Sequence, residues 1–318
     1  MKAYCISHVK DVDGVGAAAI VKAAIGAEVH LSDYSLLMDD LDGVPADVRE
    51  FVLCDLGGDN ANVDAFVAKL GRIASRAKVT YIDHHFMSAE GVKKLRAVGV
   101  NLVHNEGECS SMLAYLTFKE SLPERSRLIG LMGAVTDYMD GSPEATRLME
   151  QADRQFVLLE STILAYAIAK NGDQKGYTDF IVDELSKMKH PHEIDGVPEA
   201  AVAQLGEMVR LGEEVKKKGS KMRNLAYMVT DQHSTGNIAK LLIGAFEVPV
   251  GVAMKEQQRD WYEVSLRSTS ECKVHLGKSI GKIAAELGGN GGGHAKAAGA
   301  RIPKSKMDEM LKDLSNVL

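Results

Sequence analysis

The sequence predicts an α/β protein. An N-terminal domain is built on a doubly wound, mainly parallel sheet, and a helical connector joins it to a smaller C-terminal α/β domain. Three observations predict this. Short apolar runs alternate with helix-period stretches through the first 110 residues, the pattern of a sheet covered by crossover helices. From about residue 126 the pattern turns helical until Pro191-His192-Glu193-Ile194-Asp195-Gly196-Val197-Pro198 breaks it. Strand and helix patterns then return over the last hundred residues. A length of 318 residues suits a division into two cores.

In order, Ala3 to Ser7, Glu28 to Leu31, Phe51 to Asp55, Val79 to Asp83 and Val100 to His104 read as strands. Residues 15–25, 61–75, 89–98 and 110–120 read as helices. Strand, helix and strand at this spacing call for right-handed crossovers between parallel neighbours. Ser126 to Thr136, Asp153 to Lys170 and Tyr177 to Lys189 are helical. One more amphipathic helix covers 199–220 and ends in Lys216-Lys217-Lys218-Gly219, where cations suit the helix dipole. The remainder offers strands at Leu225 to Thr230, Val248 to Met254 and Trp261 to Ser268, and helices at Asn237 to Phe246, Ser279 to Leu287 and Lys306 to Val317. The expected division is a catalytic domain over 1–190, a connector over 191–222 and a substrate-binding domain over 223–318.

Composition narrows the function classes. With 45% hydrophobic and 26% charged residues the chain is of ordinary globular type. No apolar run approaches the ~20 residues that cross a bilayer, and the first residues lead into a strand, so a cytoplasmic protein without a membrane partner is expected. The four cysteines (Cys5, Cys54, Cys109, Cys272) lie far apart without a C-x-x-C, which predicts reduced thiols. The net charge of -6 is uneven: residues 1–150 carry 15 basic and 22 acidic side chains, 151–220 carry 9 and 12, and 221–318 carry 14 and 10. A protein that tracks many phosphates is usually basic overall, so a short or small anionic substrate fits better.

Four separated places carry oxygen or imidazole ligands where a strand is expected to end. They are Ser7-His8-Val9-Lys10-Asp11-Val12-Asp13-Gly14, Leu53-Cys54-Asp55-Leu56-Gly57-Gly58, Ile82-Asp83-His84-His85 and Ala134-Val135-Thr136-Asp137-Tyr138. Strand C-termini of a parallel sheet open onto one edge, where ligands bind. Each piece has a plainer reading: an Asp after a strand is most often a turn or cap residue, and a His pair can be a surface loop. Coincidence explains all four together poorly. Unpaired, Asp11, Asp13, Asp55 and Asp137 would repel one another, so the cluster calls for two divalent cations. The mixture of carboxylate and imidazole suits manganese or a related first-row ion, with cobalt or magnesium as alternatives.

At the other end, in Gly288-Gly289-Asn290-Gly291-Gly292-Gly293-His294-Ala295-Lys296, three consecutive glycines let the backbone approach an anion and point N–H groups at it, with His294 and Lys296 adding donors or charge; the plainer reading is a flexible turn. Arg267, at the end of a predicted strand, can grip a phosphate in a bidentate manner. Ser110 is first of all a helix cap. His190 and His192 read as exposed loop residues.

Asp83-His84-His85, with His8, Asp11 and Asp13 before it and Asp55 and Asp137 around it, resembles the DHH phosphoesterase superfamily. The glycine-rich segment resembles the signature of the DHH-associated type-1 domain. Together these motifs span residues 8 to 299. The resemblance implies that His8, Asp11 and Asp55 hold one metal, and that Asp13, Asp55, His84 and Asp137 hold the other, with Asp55 bridging. It implies that Asp83 orients its neighbours and His85 faces the substrate phosphate. Arg267, Gly291, Gly292, Gly293 and His294 would bind the rest of the substrate, with Asp55, His84 and His85 carrying catalysis. His8 and Asp11 have two residues between them, one fewer than in some relatives. The implied activity is hydrolysis of short oligonucleotides or small nucleotides by a water activated by two metals. A RecJ-like single-strand exonuclease and a catalytically silent scaffold are the alternatives, and a homodimer is left open.

Overall fold

A computed structural model describes residues 2–57, 62–231, 234–257, 260–293 and 295–318. The chain divides into two compact units, 1–204 and 205–318. The first contains β1 (Ala3–His8), α1 (Val12–Ile25), β2 (Glu28–Ser32), α2 (Leu37–Asp42), β3 (Glu50–Cys54), α3 (Val63–Ala74), β4 (Lys78–Asp83), α4 (Ala89–Ala97) and β5 (Asn101–His104). After them come α5 (Ser110–Phe118), α6 (Arg127–Thr136), α7 (Pro143–Met149), α8 (Arg154–Asn171), α9 (Tyr177–Ser186) and the start of α10 (Val197–Lys218).

All pairings of the first sheet are parallel, in the order β2-β1-β3-β4-β5. Alternate strand residues point to opposite faces. Cys5, Val52, Cys54 and Ile82 therefore share a core with α1, α5, α6, α8 and α9. Ile6, Phe51, Leu53, Val79 and Tyr81 share another with α2, α3 and α4. Because the chain runs from β1 outward to β2 and then back past β1 to β3, the connections diverge between β1 and β3. A doubly wound sheet opens a crevice at that point. Helix α1 is buried over Val12 to Val21 and begins at the Asp11 cap, whose carboxylate accepts from Gly14 N at 2.9 Å; it stops at Gly26 with φ +65°. The four cysteines are free and buried.

The second unit holds the rest of α10, then β6 (Ser220–Met222), β7 (Leu225–Thr230), α11 (Thr235–Phe246), β8 (Val250–Gln257), β9 (Trp261–Ser268), α12 (Leu276–Glu286), β10 (Asn290–Gly293), β11 (Ala297–Pro303) and α13 (Met307–Val317). Its sheet runs β10-β11-β9-β8-β7-β6, with β7 and β8 parallel and the other pairs antiparallel. Leu276, Ile280 and Ile283 of α12 and Met310, Leu311 and Leu314 of α13 cover one face, while Ile238 and Leu242 of α11 join Val215 on the other.

The glycine-rich tract is an edge strand rather than a turn. A Cβ on Gly277 of α12 would lie 1.9 Å from the Gly293 carbonyl oxygen, and one on Gly281 would lie 3.0 Å from that of Gly291. Glycine on the helix thus lets α12 rest directly on the β10 backbone. Between 191 and 204, Ile194, Val197 and Ala200 belong to the core of the first unit. His192 is tied by its ring and its backbone N–H to the fully buried Glu160 of α8, and stacks on His190. Among the described residues no helix is long and apolar enough to cross a membrane.

Candidate metal centre

His8 closes β1, Asp55 follows β3, and Asp83 closes β4 with His84 and His85 after it, so three of the four expected places lie at strand C-termini. The fourth does not. Asp137 caps the C-terminus of α6, and the helix delivers it to the site. Helix α6 can approach because it carries glycine where it meets α1 and α5: a Cβ on Gly133 would lie 1.9 Å from Ser111 Oγ and 2.6 Å from Asp13 Oδ1. Gly14 serves likewise, since a Cβ there would sit 2.4 Å from the His8 carbonyl oxygen.

His8 Nδ1 lies 2.9 Å from Asp11 Oδ2 and 3.6 Å from Asp55 Oδ2. His84 Nε2 lies 3.4 Å from Asp55 Oδ1, 3.5 Å from Asp137 Oδ2 and 4.0 Å from Asp13 Oδ2. The two oxygens of Asp55 therefore face two different sets of side chains. His8, Asp11 and Asp55 form one group whose potential ligand atoms all lie within 4.8 Å of one another. Asp13, His84 and Asp137 form another, and Asp55, His84 and His85 a third. The shortened spacing does not separate His8 from Asp11. Asp55 holds φ +56°, in the left-handed region that Asp tolerates better than most residues.

The carboxylates are fixed from behind. Asp13, in the first turn of α1, accepts from Ser110 N and Ser111 N, both at 2.8 Å, and from Ser111 Oγ at 2.6 Å. The N-terminus of α5 is thus capped by a carboxylate from another helix, where its unpaired N–H groups favour negative charge. Ser110 is not the cap of α5; Cys109 holds that position, and Ser110 Oγ donates to Asp55 Oδ1 at 3.0 Å. Asp83 is fully buried and accepts from His84 N, His85 N and His85 Nδ1 at 2.8, 3.1 and 2.6 Å, and from Tyr81 Oη at 2.5 Å. Tyr34 Oη lies 2.9 Å from His85 Nε2. Tyr34, Tyr81 and Ser111 carry no motif, and only the fold brings them here.

The electrostatics follow from burial and crowding. Burial, and then the charge of Asp55, push Asp13 up to about 6; burial, and then Asp13, push Asp137 up to about 8. Burial also opposes the charge on His8 and His84, but the facing carboxylates outweigh it and raise both to about 10. For Asp55 the hydrogen bonds from His8 and His84 overcome burial and hold the carboxyl well below its usual range. Four carboxylates around shared imidazoles hold protons that cations would displace, and the mixed donor set fits divalent ions with some affinity for nitrogen.

In the second unit, Arg267 lies in β9 opposite Ala297 of β11, with its guanidinium beside Gly236 at the start of α11 and donating to the Leu266 carbonyl at 2.8 Å. Gly291, Gly292 and Gly293 lie on β10. His294 falls outside the described residues.

Residues 223–318 match the DHHA1 domain family. An uncharacterized protein of Methanocaldococcus jannaschii is 35% identical over 82 residues, which are 24% of this chain and 23% of that protein; the chain thus matches under a quarter of that curated relative. Among solved structures, the pGpG-specific phosphodiesterase PggH of Vibrio cholerae is similar over 98% of each chain, with a TM-score of 0.63 and 15% identity. The RecJ of Thermus thermophilus in complex with Mn2+ is similar over 99% of this chain and 52% of its own, with a TM-score of 0.62 and 15% identity. At these identities the structures establish the fold. Residues 223–318 thus carry the match to the DHHA1 domain, and the fold along the whole length is that of these solved structures, with the Asp83-His84-His85 motif at the sheet edge.

Proposed function

We propose that the chain is a phosphoesterase that uses two divalent metal ions, manganese first among them, to hydrolyse short oligonucleotides or small nucleotides. The observation that carries this reading is the position of Asp55, with one oxygen toward His8 and the other toward His84. His8, Asp11 and Asp55 would hold one ion; Asp13, Asp55, His84 and Asp137 would hold the other. Such ions supply Lewis acidity and positive charge for phosphoryl transfer to water.

The protein's own groups do the positioning. Ser110 and Ser111 keep Asp13 from swinging toward Asp137, and Ser110 Oγ fixes the Asp55 oxygen that faces His84. Asp83 accepts the hydrogen bond of His85 Nδ1 and so turns Nε2 outward, where a hydrogen bond to a phosphoryl oxygen would offset charge developing there. Arg267 and the Gly291-Gly292-Gly293 strand with His294 are the proposed contacts to the rest of the substrate.

The names of the fold relatives, a pGpG-specific phosphodiesterase and a manganese-bound RecJ, support a substrate with phosphodiester bonds. The net charge of -6 favours a short one over a long strand. Rates measured on a dinucleotide, a long single strand and pyrophosphate, each with manganese, calcium or EDTA, test the reading. Fast manganese-dependent cleavage of the dinucleotide is expected. If calcium serves as well as manganese, the metal assignment fails; if kcat/KM climbs steadily with length beyond ~10 nucleotides, a long-strand exonuclease takes its place.

A further inference from the structure

Tyr34 stands on the turn after β2, which is closed by Leu36 N and Leu37 N bonding the Asp33 carbonyl at 2.9 and 3.0 Å. Lys10, two residues past His8, pairs with the Asp33 carboxylate at 2.6 Å and ties this turn to the loop carrying His8 and Asp11. The Tyr34 ring lies 5.1 Å from the His8 ring and 5.9 Å, edge-on, from that of His85. It therefore spans the two sides of the metal centre, and with 46% of its surface exposed it does so from the solvent side.

Its hydroxyl occupies a particular place. An imidazole has two ring nitrogens, each with one in-plane hydrogen-bond direction. In His85 the Nδ1 direction is taken by Asp83 at 2.6 Å and the Nε2 direction by Tyr34 Oη at 2.9 Å. Asp83 is fully buried and held by Tyr81 and two backbone N–H groups, so the Nδ1 bond is the fixed one. Tyr34 is half exposed on a surface turn, so the Nε2 bond is the exchangeable one.

We propose that Tyr34 is a substrate-displaced positioning residue: its hydroxyl holds the His85 Nε2 site in the absence of substrate and gives it up to a phosphoryl oxygen. This rests on the reading of His85 as a phosphate contact. Nε2 has one in-plane hydrogen-bond direction, so the Tyr34 hydroxyl and a phosphoryl oxygen cannot both take it; phosphate binding breaks the Tyr34 bond and is weakened accordingly. Holding Nε2 also keeps the ring of His85 aimed before phosphate arrives.

The test uses Tyr34→Phe in the full-length, manganese-loaded protein, which keeps the ring against His8 and removes only the hydroxyl. Isothermal titration with inorganic phosphate is expected to show binding tightened by about two- to tenfold, the equilibrium worth of one neutral hydrogen bond. KM for a dinucleotide should fall by a similar factor. In wild-type protein loaded instead with diamagnetic magnesium, the Tyr34 ring-carbon NMR signal next to the hydroxyl, assigned by its loss in Tyr34→Phe, should shift on phosphate addition. Phosphate that binds wild type and Tyr34→Phe equally, a stationary Tyr34 signal, or a weakened Tyr34→Phe would overturn the displacement alone. A wild-type protein that loads manganese but binds no phosphate would overturn the phosphate-site reading and the proposal with it.

Discussion

Replacing Asp83 by Asn separates the positioning of the His pair from the proposed metal ligation. The carboxylate is fully buried, with three donors on Oδ1 and the Tyr81 hydroxyl on Oδ2. An amide can keep its oxygen toward the three donors and turn its NH2 toward Tyr81. Tyr81 has an alternative acceptor, the Leu56 carbonyl at 3.0 Å, and can accept from the amide through its own oxygen. The fold should therefore survive, and the loss is the charge behind the bonds to His84 and His85. A hydrogen bond to a charged group contributes about 1.5–3 kcal/mol against about 1 for a neutral one, so a destabilisation of about 1–2 kcal/mol is expected. Partners behind a metal site typically change activity by about 10–100-fold, and a His85 no longer held at Nδ1 should place turnover in that range. Urea denaturation gives the first quantity, and manganese-dependent hydrolysis of a dinucleotide the second. A folded Asp83→Asn protein with kcat/KM within twofold of wild type would refute the role given to Asp83.

Asp55→Asn should keep the fold and lose several orders of magnitude in turnover, because one of its two oxygens, which face different ligand sets, is replaced by an amide nitrogen; near-wild-type activity with full manganese loading would sink the dinuclear reading. Gly133→Ala should destabilise by about 1–3 kcal/mol and also impair metal binding, since the new Cβ meets Ser111 Oγ and Asp13 Oδ1, and an unchanged Tm would contradict this packing. Without metal, Asp13 (about 6) and Asp137 (about 8) titrate above their unfolded range, as do His8 and His84 (about 10), so the folded chain holds the more protons. Stability in EDTA should therefore fall as pH rises from about 5 to 9, whereas Asp55 and Asp83, held low, lose their contribution only on acidification below about pH 4; a Tm in EDTA that rises with pH over the upper range would show the sign to be wrong.

Much of the first domain is legible in the sequence, because strand signals rest on local runs such as Phe51 to Cys54 and the ends of parallel strands share an edge by topology. That places His8, Asp55, Asp83, His84 and His85 without any distance. Asp137 was expected at a strand end and arrives instead on α6, whose glycines look unremarkable in an apolar run until α5 and Asp13 are packed against them. Helix α2 and strand β6 are short, and β10 is nearly all glycine, so local propensity argues against the strand. Its strand state is set by pairing with β11 and by α12 lying across it. Tyr34 and Ser111 act through neighbours 51 and 98 residues away, a separation that no periodicity encodes.

The same geometry explains why the site is tied to the fold rather than to a loop. A cluster of buried carboxylates raises the free energy of the folded chain, and rearrangement could relieve it by letting the acids separate into solvent. That route is closed here. Asp13 is held by the N-terminus of α5, Asp55 is held by Ser110, and Asp83 is locked beneath the sheet edge by Tyr81. What remains is to take up protons or cations. The histidines offset part of the charge at neutral pH, and a divalent ion that displaced their protons would stabilise the folded form in proportion to the logarithm of its concentration over its dissociation constant. Across substitutions at Ser110 and Ser111, which hold Asp13 and Asp55 in the crowded arrangement, the stabilisation gained on adding a divalent ion should therefore fall together with the affinity for that ion.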